Sequence, residues 1–164
     1  MEQPRKILIM SDSHGTAVYA IQAIEREKPI DLLIHLGDLQ GSDREISAAA
    51  GCPCLFVRGN CDYDHMTPLS REIPIGKHKI FAAHGHMQHV RDGTEYLERT
   101  AKSYGCDIAM YGHTHVPDLR EKEDITVLNP GSISRPQQTN PKKTYVVMTH
   151  DPETGKLDYE LKNL

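Results

Sequence analysis

The sequence predicts an α/β fold of two sheets with helices outside, and three observations carry that expectation. The first half alternates short apolar runs with stretches of helical period. The second half opens on a hairpin signal at Gly76 and then offers mostly strand-like pieces. Five of the apolar runs end in glycine-containing loops rich in Asp, Asn and His, the placement expected where parallel strands deliver ligands to one sheet edge.

Lys6 to Met10 is continuous and apolar, as suits a central strand covered on both faces, and Ser11-Asp12-Ser13-His14-Gly15 follows it. From Thr16 to Lys28, Ala17, Ala20, Ile21 and Ile24 recur at helical spacing, and Pro29 closes the segment. Asp31 to Leu36 reads as a second strand running into Gly37-Asp38. Asp43 to Ala50 reads as a short helix with Asp43 as its cap and Gly51 as its stop. Cys54 to Val57 makes a third strand that leads into Arg58-Gly59-Asn60-Cys61-Asp62.

Two strand-like pieces follow, Arg71 to Ile75 and Lys77 to Ala83, with Gly76 between them, and the second ends in His84-Gly85-His86. Thr94 to Tyr104 is helical, with Leu97 and Ala101 on one side and Gly105 as the stop. Asp107 to Tyr111 is a strand ending in Gly112-His113-Thr114-His115. The stretches Val116–Lys122, Ile125–Asn129, Thr144–His150 and Lys156–Leu161 read as antiparallel strands, with Asn129-Pro130-Gly131-Ser132 as a turn between two of them. No linker or repeat divides the chain, and at 164 residues one domain over 1–164 is expected.

A net charge of −4 without any run of Lys or Arg argues against extended nucleic-acid binding or attachment to an anionic membrane. The amino-terminal apolar run is too short for a signal-peptide core or a membrane span. The four cysteines, at 52, 54, 61 and 106, form neither a zinc-finger spacing nor a disulfide scaffold, so a cytoplasmic location is expected, with Cys52 and Cys106 as small buried hydrophobes.

Of ten histidines, those at 35, 65, 78, 89 and 150 read as exposed or hydrogen-bonded side chains, because none has ligand-bearing neighbours in a glycine loop. His14, His84, His86, His113 and His115 do. Together with Asp12, Asp38 and Asn60 they offer nitrogen and oxygen donors without an organised cysteine set, which points to manganese, iron, zinc or nickel. Asp38, alone at the end of its strand, reads as a carboxylate shared by two ions.

The order Asp12-x-His14, Gly37-Asp38, Gly59-Asn60-x-Asp62, His84-Gly85-His86 and Gly112-His113-x-His115 resembles the calcineurin-like metallophosphoesterases over nearly the whole chain. The compact length, Gly59-Asn60-Cys61-Asp62 and Asn129-Pro130-Gly131-Ser132 look most like the small bacterial and archaeal phosphodiesterases of that superfamily. The resemblance implies a two-sheet metallophosphoesterase sandwich flanked by helices. It further implies one metal on Asp12, His14, Asp38 and His115, and a second on Asp38, Asn60, His84 and His113, with manganese the first choice. Asp38, Asn60 and His86 are the catalytic candidates.

Two dications less two carboxylates leave a charge of about +2, enough to ease the proton from a bridging water and still attract a phosphate. The expected reaction is in-line attack of that hydroxide on a small phosphodiester. Asp62 either orients a ligand histidine or is an exposed turn carboxylate. Many family members carry histidine where this chain has Cys61, and a thiol with an ordinary pKa of about 8.5 donates its proton poorly near neutrality. Either His86 takes that role or the leaving group needs no proton, and Cys61 can equally be a packing residue. The alternatives are a nuclease and a non-enzymatic protein-interaction module on the same fold, as in the retromer subunit. A homo-oligomer, dimer or tetramer, is expected from the subgroup.

Overall fold

Alternation along the first strand sets the layers. In the computed structural model, which describes residues 2–164, β1 (Arg5–Met10) sends Ile7 and Ile9 into one buried cluster and Leu8 and Met10 into another. A strand apolar on both sides must be covered on both sides. After β1 come α1 (Val18–Glu27), β2 (Leu32–His35), α2 (Asp43–Ala50), β3 (Cys54–Phe56), β4 (Ser70–Ile75) and β5 (His78–Ala83). Two short 3-10 turns, His86–Gln88 and Val90–Asp92, lead to α3 (Glu95–Ser103) and β6 (Ile108–Met110). The chain finishes with β7 (Asp118–Glu121), β8 (Thr126–Asn129), β9 (Thr144–His150) and β10 (Leu157–Asn163).

Two mixed five-stranded sheets result, in the orders β10-β9-β1-β2-β3 and β4-β5-β6-β8-β7. Ile7, Ile9, Ile34 and Leu36 from the first meet Ile75, Ile80, Met110 and Leu128 from the second in a shared central layer. Leu8, Met10 and Leu33 turn the other way, onto Ala20 and Ile24 of α1 and Ile46 of α2. Phe81, Ala109 and Val127 receive Leu97 and Ala101 of α3 on the far side of the second sheet. This is the predicted α/β sandwich with helices outside.

Three local expectations need correction. Ile125–Asn129 was expected to pair only antiparallel, yet β8 runs parallel to β6, pairing Ile108 with Thr126 and Met110 with Leu128. The edge strand β7 runs opposite to both, and its hairpin returns β8 between itself and β6. Asp43 is the first residue of α2, not its cap; Ser42 holds the cap position and spends its hydroxyl on the Leu39 carbonyl. Cys106 is buried as expected, whereas Cys52 is only half-buried. Asn129-Pro130-Gly131-Ser132 begins a long crossover, residues 130–143, that carries the chain from β8 back to the first sheet.

Candidate metal centre

The loops after β1, β2, β3, β5 and β6 lie together at one edge of the sandwich, stitched through their backbones. Asp12 donates its amide to the Gly37 carbonyl and His14 to that of Asp38, joining the first two loops, while Gly112 donates to the His84 carbonyl. Asp12, His14, Asp38, His113 and His115 all take φ between 49° and 71°, a left-handed conformation that side-chain-bearing residues adopt rarely. Such strain gathers where a surrounding structure over-determines the backbone.

Asp12 is fully buried. Its Oδ2 accepts from the Ser11 hydroxyl at 2.6 Å and from the His113 amide at 3.1 Å, and its Oδ1 accepts nothing. That free oxygen faces His115 Nε2 at 3.2 Å, His14 Nε2 at 3.5 Å and His84 Nε2 at 3.8 Å. Asp38 Oδ1 accepts from the Cys61 amide at 2.8 Å, and Oδ2 faces His84 Nε2 at 3.2 Å and His14 Nε2 at 3.7 Å. Burial opposes ionisation of both carboxylates, but the neighbouring histidines outweigh it, and both are held below the usual carboxylate range.

The tautomers are set from behind. His84 Nδ1 donates to the Leu36 carbonyl at 2.6 Å, His115 Nδ1 to the Arg135 carbonyl at 2.6 Å, and His14 Nδ1 to the Gln40 side-chain oxygen at 2.8 Å. Each neutral ring therefore aims a bare Nε2 lone pair inward. With both rings neutral, His14 and His115 bring those lone pairs within 3.0 Å of each other with no proton to share; the Asp12 carboxylate favours a proton on His14, which would bridge the pair in the metal-free protein. Two lone pairs and two carboxylates at this spacing call for positive charge between them. Ligand atoms of Asp12, His14 and His115 lie within 4.8 Å of one another, as do those of Asp38, His84 and His113. Oxygen and imidazole donors in two trios, with Asp38 Oδ2 beside a histidine of each, fit a pair of divalent cations.

Asn60 is exposed, and its amide nitrogen sits 3.6 Å from Cys61 Sγ, so its recorded partner is its neighbour and not the carboxylates. Cys61 itself lies in the centre: ligand atoms of His14, Asp38 and Cys61 form a third trio within 4.8 Å. Burial and the Asp38 charge raise the thiol pKa, which keeps the proton on sulfur. The His86 ring is 5.5 Å from that of His84, and its Nδ1 is buried without a partner. Burial and the His84 charge lower the His86 pKa.

Asp62 does neither of the things foreseen for it. Its two oxygens accept the amides of Asp38 at 2.9 Å, Gly59 at 2.8 Å and Gln40 at 2.8 Å, so it pins backbone and touches no histidine. His35 is hydrogen-bonded, as expected, but its place was not foreseen. Fully buried, it accepts the Gly37 amide on Nδ1 and donates from Nε2 to Ser13 at 2.6 Å, tying the loop after β1 to the loop after β2. Burial holds its pKa down to about 3, so it stays neutral. The signal was one polar residue inside Leu32-Leu33-Ile34-His35-Leu36. Gln40, which orients His14, had only its nearness to Asp38 to mark it. Of the remaining histidines, His65 bonds Arg58, His78 bonds Asp107 and His89 is exposed, as expected, but His150 is neither exposed nor hydrogen-bonded: it is buried with both ring nitrogens unpaired.

The loop after β8 closes the centre from the side. Ser132 and Ser134 both donate to the Asp12 carbonyl, at 2.9 and 2.8 Å, and Asn129 holds the Gly112 carbonyl at 3.1 Å.

Comparison with known proteins agrees with this geometry. Residues 6–153 match the model of the calcineurin-like phosphoesterase superfamily domain. A probable metallophosphoesterase of Methanothermobacter thermautotrophicus is 36% identical over 136 residues, covering 82% of this chain and 76% of its own. The phosphodiesterase YfcE of Escherichia coli K12 is 28% identical, with 89% and 88% covered. Among solved structures, a predicted phosphoesterase of Streptococcus pneumoniae superposes with a TM-score of 0.83 at 27% identity, over 99% of this chain and 91% of that one. Vps29 of Entamoeba histolytica complexed with zinc superposes with a TM-score of 0.75 at 21% identity, over 96% and 98%, a likeness of fold.

Proposed function

The chain belongs to the calcineurin-like phosphoesterase superfamily, and from that premise we propose that it is a binuclear metal-dependent phosphodiesterase acting on small phosphodiesters. The observation that carries the proposal is Asp38 Oδ2, which stands beside His14 of one trio and His84 of the other. In this reading Asp12, His14, Asp38 and His115 hold one ion, and Asp38, His84, His113 and Asn60 hold the second. When bound, such ions act as Lewis acids toward phosphate oxygens and supply an activated water at neutral pH. Manganese is our first choice, with iron, zinc and nickel as alternatives.

The chain's own residues do the positioning. Asp62 and His35 lock the loops that present Asp38, and the carbonyls of Leu36 and Arg135 keep His84 and His115 turned inward. Cys61 retains its proton and His86 is pushed toward the neutral imidazole, so neither is a strong acid near neutrality. We therefore assign diesters whose departing oxygen needs little protonation, an aryl or phosphoryl oxygen, as preferred substrates. A single-strand nuclease would need a basic track that a charge of −4 without Lys or Arg runs does not support.

The test is hydrolysis of bis-p-nitrophenyl phosphate by metal-stripped protein reloaded with manganese, beside a folded Asp38→Asn variant. Turnover by the wild type and a loss of about 100-fold or more in the variant are expected, the size seen when one electrostatic stabiliser is removed. An inert wild type that binds metal tightly would favour the second reading, a protein-interaction module, which the likeness to the Vps29 fold brings in.

A further inference from the structure

We infer that Arg91 competes with the second metal ion for the one ring lone pair of His113, and so sets how tightly that ion is held. The inference rests on the binuclear reading above and concerns a residue that reading does not use. Arg91 lies in the second 3-10 turn, before α3, on a segment that contributes no ligand. Its Nε donates to His113 Nε2 at 3.2 Å and its terminal nitrogen to the His113 carbonyl at 3.3 Å, so one guanidinium grips the ring and the backbone of the same residue. The direction of the ring bond is fixed, because a guanidinium has donors only.

A neutral imidazole carries one proton and one in-plane lone pair. With Nε2 accepting from Arg91, the proton stands on Nδ1 and no lone pair is left for a cation. Metal on Nε2 would take the lone pair that Arg91 uses. Metal on Nδ1 would send the proton to Nε2, where it would face the Arg91 N–H. Either way the hydrogen bond and the metal bond exclude each other.

His113 is in this respect unlike the other histidines of the centre. His14, His84 and His115 give their outer nitrogen to a carbonyl oxygen, which leaves the inner lone pair free and reinforces it. His113 alone among them meets a donor. The ion held through His113 must therefore displace Arg91 from the ring, whereas the ion on Asp12, His14 and His115 displaces nothing. Once displaced, the guanidinium keeps its second bond to the His113 carbonyl and stays at the rim of the centre.

The experiment is calorimetric titration of metal-stripped protein with manganese for the wild type, Arg91→Met, Arg91→Lys and Arg58→Met. Two ions should bind the wild type, one more weakly. In Arg91→Met the weaker site should tighten by roughly tenfold, the scale of a hydrogen bond from a charged donor, while the tighter site is unchanged. Arg91→Lys keeps the charge without the planar fork and should fall between. Arg58, whose guanidinium bonds His65, should leave both sites as they were. As a second readout, the Arg91 Nε–H resonance should shift on the second equivalent of zinc and not on the first. Two ions bound with equal affinity by wild type and Arg91→Met overturns the role of Arg91 alone. Fewer than two ions in both proteins overturns the binuclear reading and this inference with it.

Discussion

Asp62 holds three backbone amides at once, those of Asp38, Gln40 and Gly59, and this makes it the support on which the Asp38 carboxylate stands. Replacing it by alanine leaves those amides without their acceptor. At about 1 kcal/mol for each bond lost, Asp62→Ala should cost about 2–3 kcal/mol in urea unfolding of the metal-free protein, and Asp62→Asn roughly half of that. A loss below about 0.5 kcal/mol would mean that water satisfies the loop as well as the carboxylate does. The histidines give a prediction of their own. The Asp12 carboxylate raises the pKa of His14; for His84 burial pulls down, but Asp38 and Asp12 pull up further. A folded-state value above the unfolded value of about 6.5 stabilises fully below that pH and is lost as pH rises through the folded value. His35, His86 and His113 are shifted the other way and act below about 6.5, outside this window. The Tm of the metal-free protein should thus fall as pH rises above about 6.5, whereas metal binding, which displaces those protons, should strengthen. A flat or rising metal-free Tm would contradict the assignment.

Strand ends and the loops behind them are the elements that build the centre. Gly59 shows how tightly they are fitted: a methyl group there would collide with Oδ1 and the backbone nitrogen of Asp38. Gly59→Ala should destabilise by about 1–3 kcal/mol, as overpacking does, and in the proposed binuclear centre should weaken both metal sites, because there the displaced carboxylate would serve each. Differential scanning calorimetry with and without metal checks this, and an unchanged metal affinity would show that Asp38 is not shared. Apolar runs ending in polar loops were legible from the sequence, since a strand buried on both faces has little freedom in composition, and His84-Gly85-His86 and Gly112-His113-Thr114-His115 stand out by type and spacing. What was not legible depends on contacts between loops far apart in the chain. The Arg135 carbonyl behind His115, the Ser132 and Ser134 hydroxyls on Asp12 and the guanidinium on His113 leave no local pattern. The parallel pairing of β8 was hidden for a similar reason, because an edge hairpin decides it and strand direction is not written in composition.

At the scale of the molecule, the centre is a seam between the two sheets. Asp12, His14 and Asp38 come from loops of the first sheet, and His84, His113 and His115 from loops of the second. Ions bound there would link the sheets opposite their shared apolar layer, so metal should raise the stability of the whole fold and not of one loop. Among the described residues no helix is long and apolar enough to cross a membrane. In the proposed function Asp38 joins two metal sites into one centre. The decisive measurement is electron paramagnetic resonance of the protein loaded with two equivalents of manganese. An exchange-coupled spectrum that gives way to isolated-ion lines in Asp38→Asn is the expected result. Isolated-ion lines in the wild type, at full loading, would show two separate sites or one, and would contradict it.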